Sequence, residues 1–311
     1  MEYMSFDIGG TSIKYGVVTS LGEILLKAAF PTPQSRGAIV SGMYDVLQSC
    51  QKKYPKISGI GISAPGMVAD DGTLIVAGAI DSLYGANLKQ ELGKYTDLPI
   101  SIENDANSAA IAEQWVGNAQ GTRNYICLVL GTGLGGGVVI DSKLYRGRHN
   151  LAGEFGFSLI EGVSSSGELE SNTMNYKGAV VLGLISMYEE ALAKEKIAVP
   201  KKIDAREIFT KANQGESIAL AVLKKYYENL SILCLNIMSF FDPDKILIGG
   251  GISANNQFMT ELLDTFESLF ARHTSLANIG RENAAEIIPA KLLNDAGLIG
   301  AAYNIYRQIN Y

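Results

Sequence analysis

Cysteine and histidine are scarce in this chain. Only Cys50, Cys127 and Cys234 occur among its 311 residues, and His149 and His273 are the only histidines. An odd, widely spaced set of thiols makes no disulfide framework, so these cysteines are expected to stay reduced and to pack as small hydrophobes in a cytoplasmic protein. Basic residues are also in the minority, with 26 Lys and Arg against 32 Asp and Glu and a net charge of −6. Nucleic acid and anionic membranes both require a positive surface, which leaves small molecules as the expected ligands. Long apolar runs are missing as well. The stretch Gly178 to Met187 falls well short of the ~20 residues that span a bilayer, and the start Met1-Glu2-Tyr3-Met4-Ser5 enters a strand pattern with no export signal expected.

What the chain has is glycine, 34 of them, and enough apolar residues (47%) for two compact domains with real cores; two lobes with a cleft are the default expectation. The glycines gather in hairpins. Met4 to Val18 reads as strand, tight turn and strand around Gly9-Gly10-Thr11, and a third strand follows at Glu23 to Phe30. Asn124 to Leu130 opens into Gly131-Thr132-Gly133-Leu134-Gly135-Gly136-Gly137 before the strand Val138-Val139-Ile140, which repeats the same layout. Two matched hairpins suggest a weak internal duplication in which each lobe contributes a phosphate-binding turn.

Between the hairpins, Ile100 to Asn107 (Ile-Ser-Ile-Glu-Asn-Asp-Ala-Asn) ends an apolar run in carboxylates and amides. It reads as a strand delivering Asp105 to the start of a helix over Ser108 to Val116, whose Ala109, Ala112 and Val116 share a face. A lone Asp there would merely cap the helix; beside two phosphate cradles it is also a candidate general base. Helices are expected at Gly37–Tyr54, around Leu88–Lys94, Gly178–Lys196, Asp204–Gln214, Glu216–Phe241 and Asn256–Arg272. Strands are expected at Ile57–Ser63 and before the glycine turn Gly249-Gly250-Gly251, and a loop at Glu161–Gly167. The alternation is that of an α/β protein. The small residues of Asp295 to Ala302 would let a terminal helix pack closely, back on the first lobe.

With these residues in place the sequence resembles the ROK family of sugar kinases and sugar-responsive repressors. The likeness rests on Asp7-Ile8-Gly9-Gly10-Thr11, Ser63-Ala64-Pro65-Gly66, Glu103 to Asn107, Gly131 to Gly137, Ala152-Gly153-Glu154-Phe155-Gly156, Ile248 to Gly251 and Asp295 to Gly300, in family order along nearly the whole chain. It implies a two-lobed actin-like ATPase fold of the hexokinase type, which is ribonuclease H-like. Residues 1–117 would form a smaller domain with the sugar loops and Asp105, residues 118–292 a larger domain with the second phosphate turn and the adenosine site, and 293–311 the helix returning to the first. The resemblance makes Asp105 the catalytic base and Gly66, Asn104, Glu154, Phe157 and Glu170 the sugar-binding set. ATP would meet Asp7, Gly9, Gly10, Thr11, Lys14, Gly131, Thr132, Gly133, Gly135, Gly249, Gly250 and Gly251, with Mg²⁺ carried on its phosphates and Asp7 an outer-sphere partner.

The departures narrow the reading. Most family members continue past the Glu154 block with a histidine and a cysteine-rich zinc site; here Phe157 takes the histidine position and Glu161 to Glu168 holds no cysteine, so no structural zinc is expected. His149 and His273 are expected at the surface or in packing. Phe157 and Asn172-Thr173-Met174-Asn175 resemble the subgroup that phosphorylates the 6-hydroxyl of β-glucosides. A glucokinase, an N-acetylmannosamine kinase and a non-catalytic sugar-sensing regulator are the alternatives. No helix-turn-helix segment precedes Met4, which argues against DNA binding, and a homodimer is one assembly left open.

Overall fold

The computed structural model describes residues 1–78, 80–163 and 165–311; Ala79 and Ser164, the latter in the loop expected at 161–167, lie outside the described residues. The chain opens with strands β1 (Glu2–Ile8), β2 (Ser12–Thr19) and β3 (Ile24–Pro31), then helix α1 (Arg36–Lys53) and strand β4 (Ile57–Ala64). Short strands β5 (Met67–Val68) and β6 (Leu74–Val76) and helix α2 (Leu88–Leu92) lead to β7 (Ile100–Asn104) and α3 (Asp105–Val116). Strands β8 (Tyr125–Leu130), β9 (Leu134–Ile140) and β10 (Lys143–Tyr145) precede helices α4 (Met174–Gly178), α5 (Ser186–Lys194), α6 (Ala205–Asn213) and α7 (Ser217–Phe241). Strand β11 (Lys245–Gly249), helices α8 (Asn256–Arg272) and α9 (Thr274–Ile279), strand β12 (Glu286–Pro289) and helix α10 (Ala296–Asn310) complete it.

The two five-stranded sheets share one plan. The first runs β3-β2-β1-β4-β7 and the second β10-β9-β8-β11-β12. In the first, β1 pairs antiparallel with β2 and parallel with β4, and β4 pairs parallel with β7; in the second, β11 pairs parallel with both β8 and β12. The hairpins β1–β2 and β8–β9 thus occupy equivalent places. Central β1 is buried along most of its length, whereas edge strand β3 alternates between covered and exposed residues, as one-sided packing requires. Helix α1 starts where Ser35 caps Ala38 N–H, lays Ile39, Met43 and Leu47 on the sheet at four-residue spacing, and ends with Lys52 and Lys53 at its negative pole.

Two compact units emerge: residues Met1–Gly121, Gly137–Gly153 and Asn294–Tyr311, and residues Thr122–Gly136 and Glu154–Leu293. The first differs from the sequence division at residue 117 by gaining the excursion 137–153. Its helix α10 packs on α3 and β4. A Cβ at Gly300 would stand 1.9 Å from the Ser108 carbonyl oxygen, so that contact admits only glycine, and Trp115 of α3 stacks on Tyr303 at 4.9 Å.

Several boundaries differ from expectation. The helix after β7 begins at Asp105 rather than Ser108, because the Asn104 side chain accepts from Asn107 N–H and takes the cap itself. The segment expected as one helix at 178–196 is broken: Val180–Ile185 wind as a π-helix before α5. The cause is local. Val180 and Val181 donate to the Gly131 carbonyl and Leu182 to that of Thr132, drawing the first turn toward those acceptors. Helices α4 and α9 and strands β10 and β12 were not anticipated. All three cysteines are buried and none forms a disulfide, and burial pushes the Cys234 thiol up to about 12.

Candidate active site

The first glycine turn is short and braced. Gly9 N–H closes it on the Ser12 carbonyl at 3.1 Å, and the Thr32 hydroxyl holds the Gly9 carbonyl at 2.5 Å. Gly10 and Thr11 are exposed at its tip. Asp7 and Lys14 face each other across β1 and β2, with Lys14 Nζ 3.1 Å from Asp7 Oδ2, while Ser63 Oγ donates to Oδ1 at 3.0 Å. A Cβ at Gly297 of α10 would lie 2.5 Å from the Asp7 carboxylate, so the glycine keeps room for that carboxylate to be solvated or bound.

At the end of β7, Asn104 Nδ2 donates to the Gly66 carbonyl at 2.6 Å and to Asp105 Oδ1 at 3.1 Å, and its Oδ1 caps α3. Both amide hydrogens are therefore engaged, and one Oδ1 lone pair is left for a ligand. Gly66 holds φ +86°, and a Cβ there would come within 2.2 Å of the Val76 carbonyl; only glycine fits that turn. Asp105 is exposed at the first position of α3, and its Oδ1 also accepts from Ala106 N–H at 2.8 Å. The positive helix end favours the carboxylate there.

The second turn uses the same device with other supports. Gly131 N–H closes on the Gly133 carbonyl at 3.0 Å, and Asn175 Oδ1 accepts from Leu134 N–H at 2.8 Å. The Gly131 and Thr132 carbonyls face the π-helix, so the turn is pinned from behind. Strand β9 starts at Leu134, inside the glycine run. Gly135 thus belongs to a strand rather than to the turn, and the open backbone is confined to Gly131–Gly133. At the third glycine stretch, Gly249 ends β11, Gly250 adopts φ +89° with the Leu130 carbonyl 2.1 Å from where its Cβ would be, and Gly251 has open space.

Glu154 is half-buried, and burial raises its carboxyl above the usual carboxylate range. It leads into a 3₁₀ turn, Phe155–Phe157, with the Phe157 ring 56% exposed. The strip after that turn pairs with the segment that follows Glu170: Met174 N–H donates to Ser158 at 2.9 Å, Ile160 N–H to Asn172 at 3.1 Å, and Asn172 Nδ2 to the Gly162 carbonyl at 2.5 Å. Glu170 itself is exposed. Among the described residues no three His, Cys, Asp or Glu side chains are grouped to hold a metal ion. His149 is exposed and His273 caps α9. A cavity of about 830 Å³ between α5 and α7 is lined by none of the residues expected at the site.

Sequence reasoning missed Ser63, Thr32, Gly297, Asn175, Glu103 and Arg146 as partners of the site. Ser63, Gly297, Glu103 and Asn175 lie inside the quoted motifs. Arg146 carried no signal, since its partner is 43 residues away.

A model of the ROK family matches residues 3–308. The chain belongs to the ROK family. This ROK protein is similar to a β-glucoside kinase of Listeria monocytogenes, 33% identical over 313 residues and spanning 100% of this chain and 99% of that one. It is 31% identical to a glucokinase of Halalkalibacterium halodurans over 99% of the chain and 96% of the relative. A ROK glucokinase from Streptomyces griseus, solved with glucose and AMPPNP, superposes with a TM-score of 0.79 at 29% identity, covering 99% of this chain and 100% of that one. The fold is accordingly the actin-like ATPase fold of ROK sugar kinases. Among the described residues no helix is long and apolar enough to cross a membrane.

Proposed function

We propose that the protein is an ATP-dependent sugar kinase acting on the 6-hydroxyl of a β-glucoside. The observation that supports the kinase reading is an exposed Asp105, oriented by Asn104 at 3.1 Å and set at a helix N-terminus, in a unit that also carries the Gly9–Thr11 turn with Asp7 and Lys14 beside it. The sugar hydroxyl oxygen attacks the γ-phosphorus, its proton passes to Asp105, and ADP leaves. Phosphoryl transfer is catalysed mainly by positioning and charge stabilisation, which is what fixed backbone N–H groups and a lysine supply. Gly66, Glu154 and Glu170 are assigned to sugar hydroxyls, and the open stretches at Gly9–Thr11, Gly131–Gly133 and Gly249–Gly251 to the nucleotide.

Mg²⁺ usually keeps several waters and binds through substrate phosphates rather than a protein cage. The donor set suits that mode: one partly solvated carboxylate, Asp7, lies beside the first turn with Ser63 on Oδ1 and Lys14 on Oδ2, and each oxygen has a second lone pair. Bound there, the ion would neutralise phosphate charge, and Asp7 would hold its water. Zinc is assigned no role.

Phe157 supports the β-glucoside as acceptor. A ring in place of a histidine removes a hydrogen-bond partner and offers an apolar face, on which the second sugar of a β-glucoside can stack. A hydroxyl that relied on the histidine would be left unpaired, a loss of ~1–3 kcal/mol. ADP release over a panel of sugars tests this. Cellobiose or an aryl β-glucoside should match or exceed glucose in kcat/KM, and N-acetylmannosamine should be poor. Good turnover of glucose with every β-glucoside inert would make the enzyme a glucokinase, and no ADP release with any sugar would favour a sugar-sensing regulator.

A further inference from the structure

Strand β7 points Glu103 the opposite way from Asn104, into the first unit, where only 4% of its side chain is exposed. A carboxylate so buried needs partners on both oxygens. Oε1 accepts from Asn104 N–H at 3.0 Å and from Asn107 Nδ2 at 3.0 Å. Oε2 accepts from Arg146 Nε at 3.0 Å and closely from a second guanidinium nitrogen. The side chain therefore ties the residues on both sides of Asp105 to one arginine. That arginine comes from the excursion 137–153, one residue after β10, and its own carbonyl is held by Ala152 N–H at 3.2 Å.

We infer that Glu103 and Arg146 are a positioning pair: Arg146 fixes the Glu103 carboxylate, and the carboxylate fixes the Asn104–Asn107 turn that aims Asp105. Neither residue touches substrate. Two guanidinium nitrogens converge on Oε2 and hold that oxygen in place by charge-assisted bonds, which leaves Oε1 to receive the two donors at 104 and 107. An ammonium carries the same charge without the fork, so charge and geometry can be separated. A turn displaced by about 1 Å costs up to ~10²-fold in rate.

The inference rests on Asp105 being the base, so its test carries a readout that needs no turnover. Full-length Arg146→Met, Arg146→Lys and the double variant Glu103→Gln/Arg146→Met are compared with wild type by sugar-dependent ADP release and by hydrogen exchange of the Asn104 amide. Arg146→Met is expected to lose ~10–100-fold in kcat per folded molecule, with a raised KM for sugar, an ATP KM within about two-fold of wild type, and faster Asn104 exchange. Arg146→Lys should recover part of this. The double variant, whose amide oxygen can still accept from residues 104 and 107 without leaving a bare carboxylate, should be more active and more protected than Arg146→Met, even if the latter folds poorly. Wild-type kcat and exchange in Arg146→Met, or equal losses toward sugar and ATP that track only a lower melting temperature in all three variants, would overturn the pair. If wild type itself releases no ADP with any sugar, the kinase reading fails, while the Asn104 exchange still decides whether Arg146 holds the turn.

Discussion

The two glycine turns begin alike and are supported differently. Each opens with a glycine N–H that closes the turn on a carbonyl two or three residues on, Gly9 on Ser12 and Gly131 on Gly133, and each follows the first strand of its sheet. Around the first lie charges, the Asp7–Lys14 pair with Ser63, and a hydroxyl clamp from Thr32. The second is braced otherwise: the position equivalent to Asp7, two residues before the turn, is Val129, and its braces are an amide, Asn175, and the π-helix. One backbone device thus serves two tasks. In the proposed kinase the charged turn is suited to phosphate oxygens with their cation, and the neutral one to presenting fixed backbone N–H groups to the same nucleotide.

That asymmetry is sharpest under charge removal. Asp7→Asn should cut kcat by roughly 10²-fold or more, as loss of a preorganised charged group does, while Val129→Ala stays within a few-fold; similar losses at both positions, measured at saturating substrates, would erase the distinction. Next in size is the shared property. Gly10→Val and Gly133→Val should each raise the KM for ATP by about tenfold or more, equivalent to a charge-assisted bond lost, with the KM for sugar little changed. Equal increases for both substrates would point to misfolding instead.

Smaller effects separate the braces. Asn175→Ala leaves the buried Leu134 N–H without its acceptor and should cost about 1–3 kcal/mol, against about 0.5–1.5 kcal/mol for Thr32→Val on the first turn; thermal unfolding that ranks them the other way would contradict the neutral turn's dependence on Asn175. The smallest concerns Glu154, whose carboxyl is raised by burial. The neutral form is favoured in the folded chain, so the associated stability is present below the ordinary glutamate range and lost as pH rises through the raised value. Glu154→Gln should melt about 1–3 °C above wild type at neutral pH, and the gap should close on acidification. A gap that stays constant with pH would mean that burial is not what acts on Glu154.

Much of this comparison was legible before any coordinates. The two hairpins followed from apolar runs ending in glycine turns, at β1 and β8, while Gly66, Asn104, Asp105 and Glu154 stood in motifs that resemble those of the ROK family. What stayed hidden was long-range or a competition between local options. The Glu103–Arg146 pair has no period to betray it. Asn104 and Asp105 are both good caps, and it is the Asn104 side chain that accepts from Asn107 N–H. The π-helix arises from carbonyls some 50 residues upstream, and the strand start at Leu134 depends on Asn175 receiving its N–H.

The central claim is that Asp105 takes the proton of a sugar hydroxyl, and its most direct test is single-turnover phosphoryl transfer to cellobiose by wild type and Asp105→Asn. Asp105→Asn should fold, bind sugar and lose transfer by ~10²–10⁴, the usual worth of a general base. Transfer at near wild-type rate in Asp105→Asn would remove Asp105 from the reaction and the account with it.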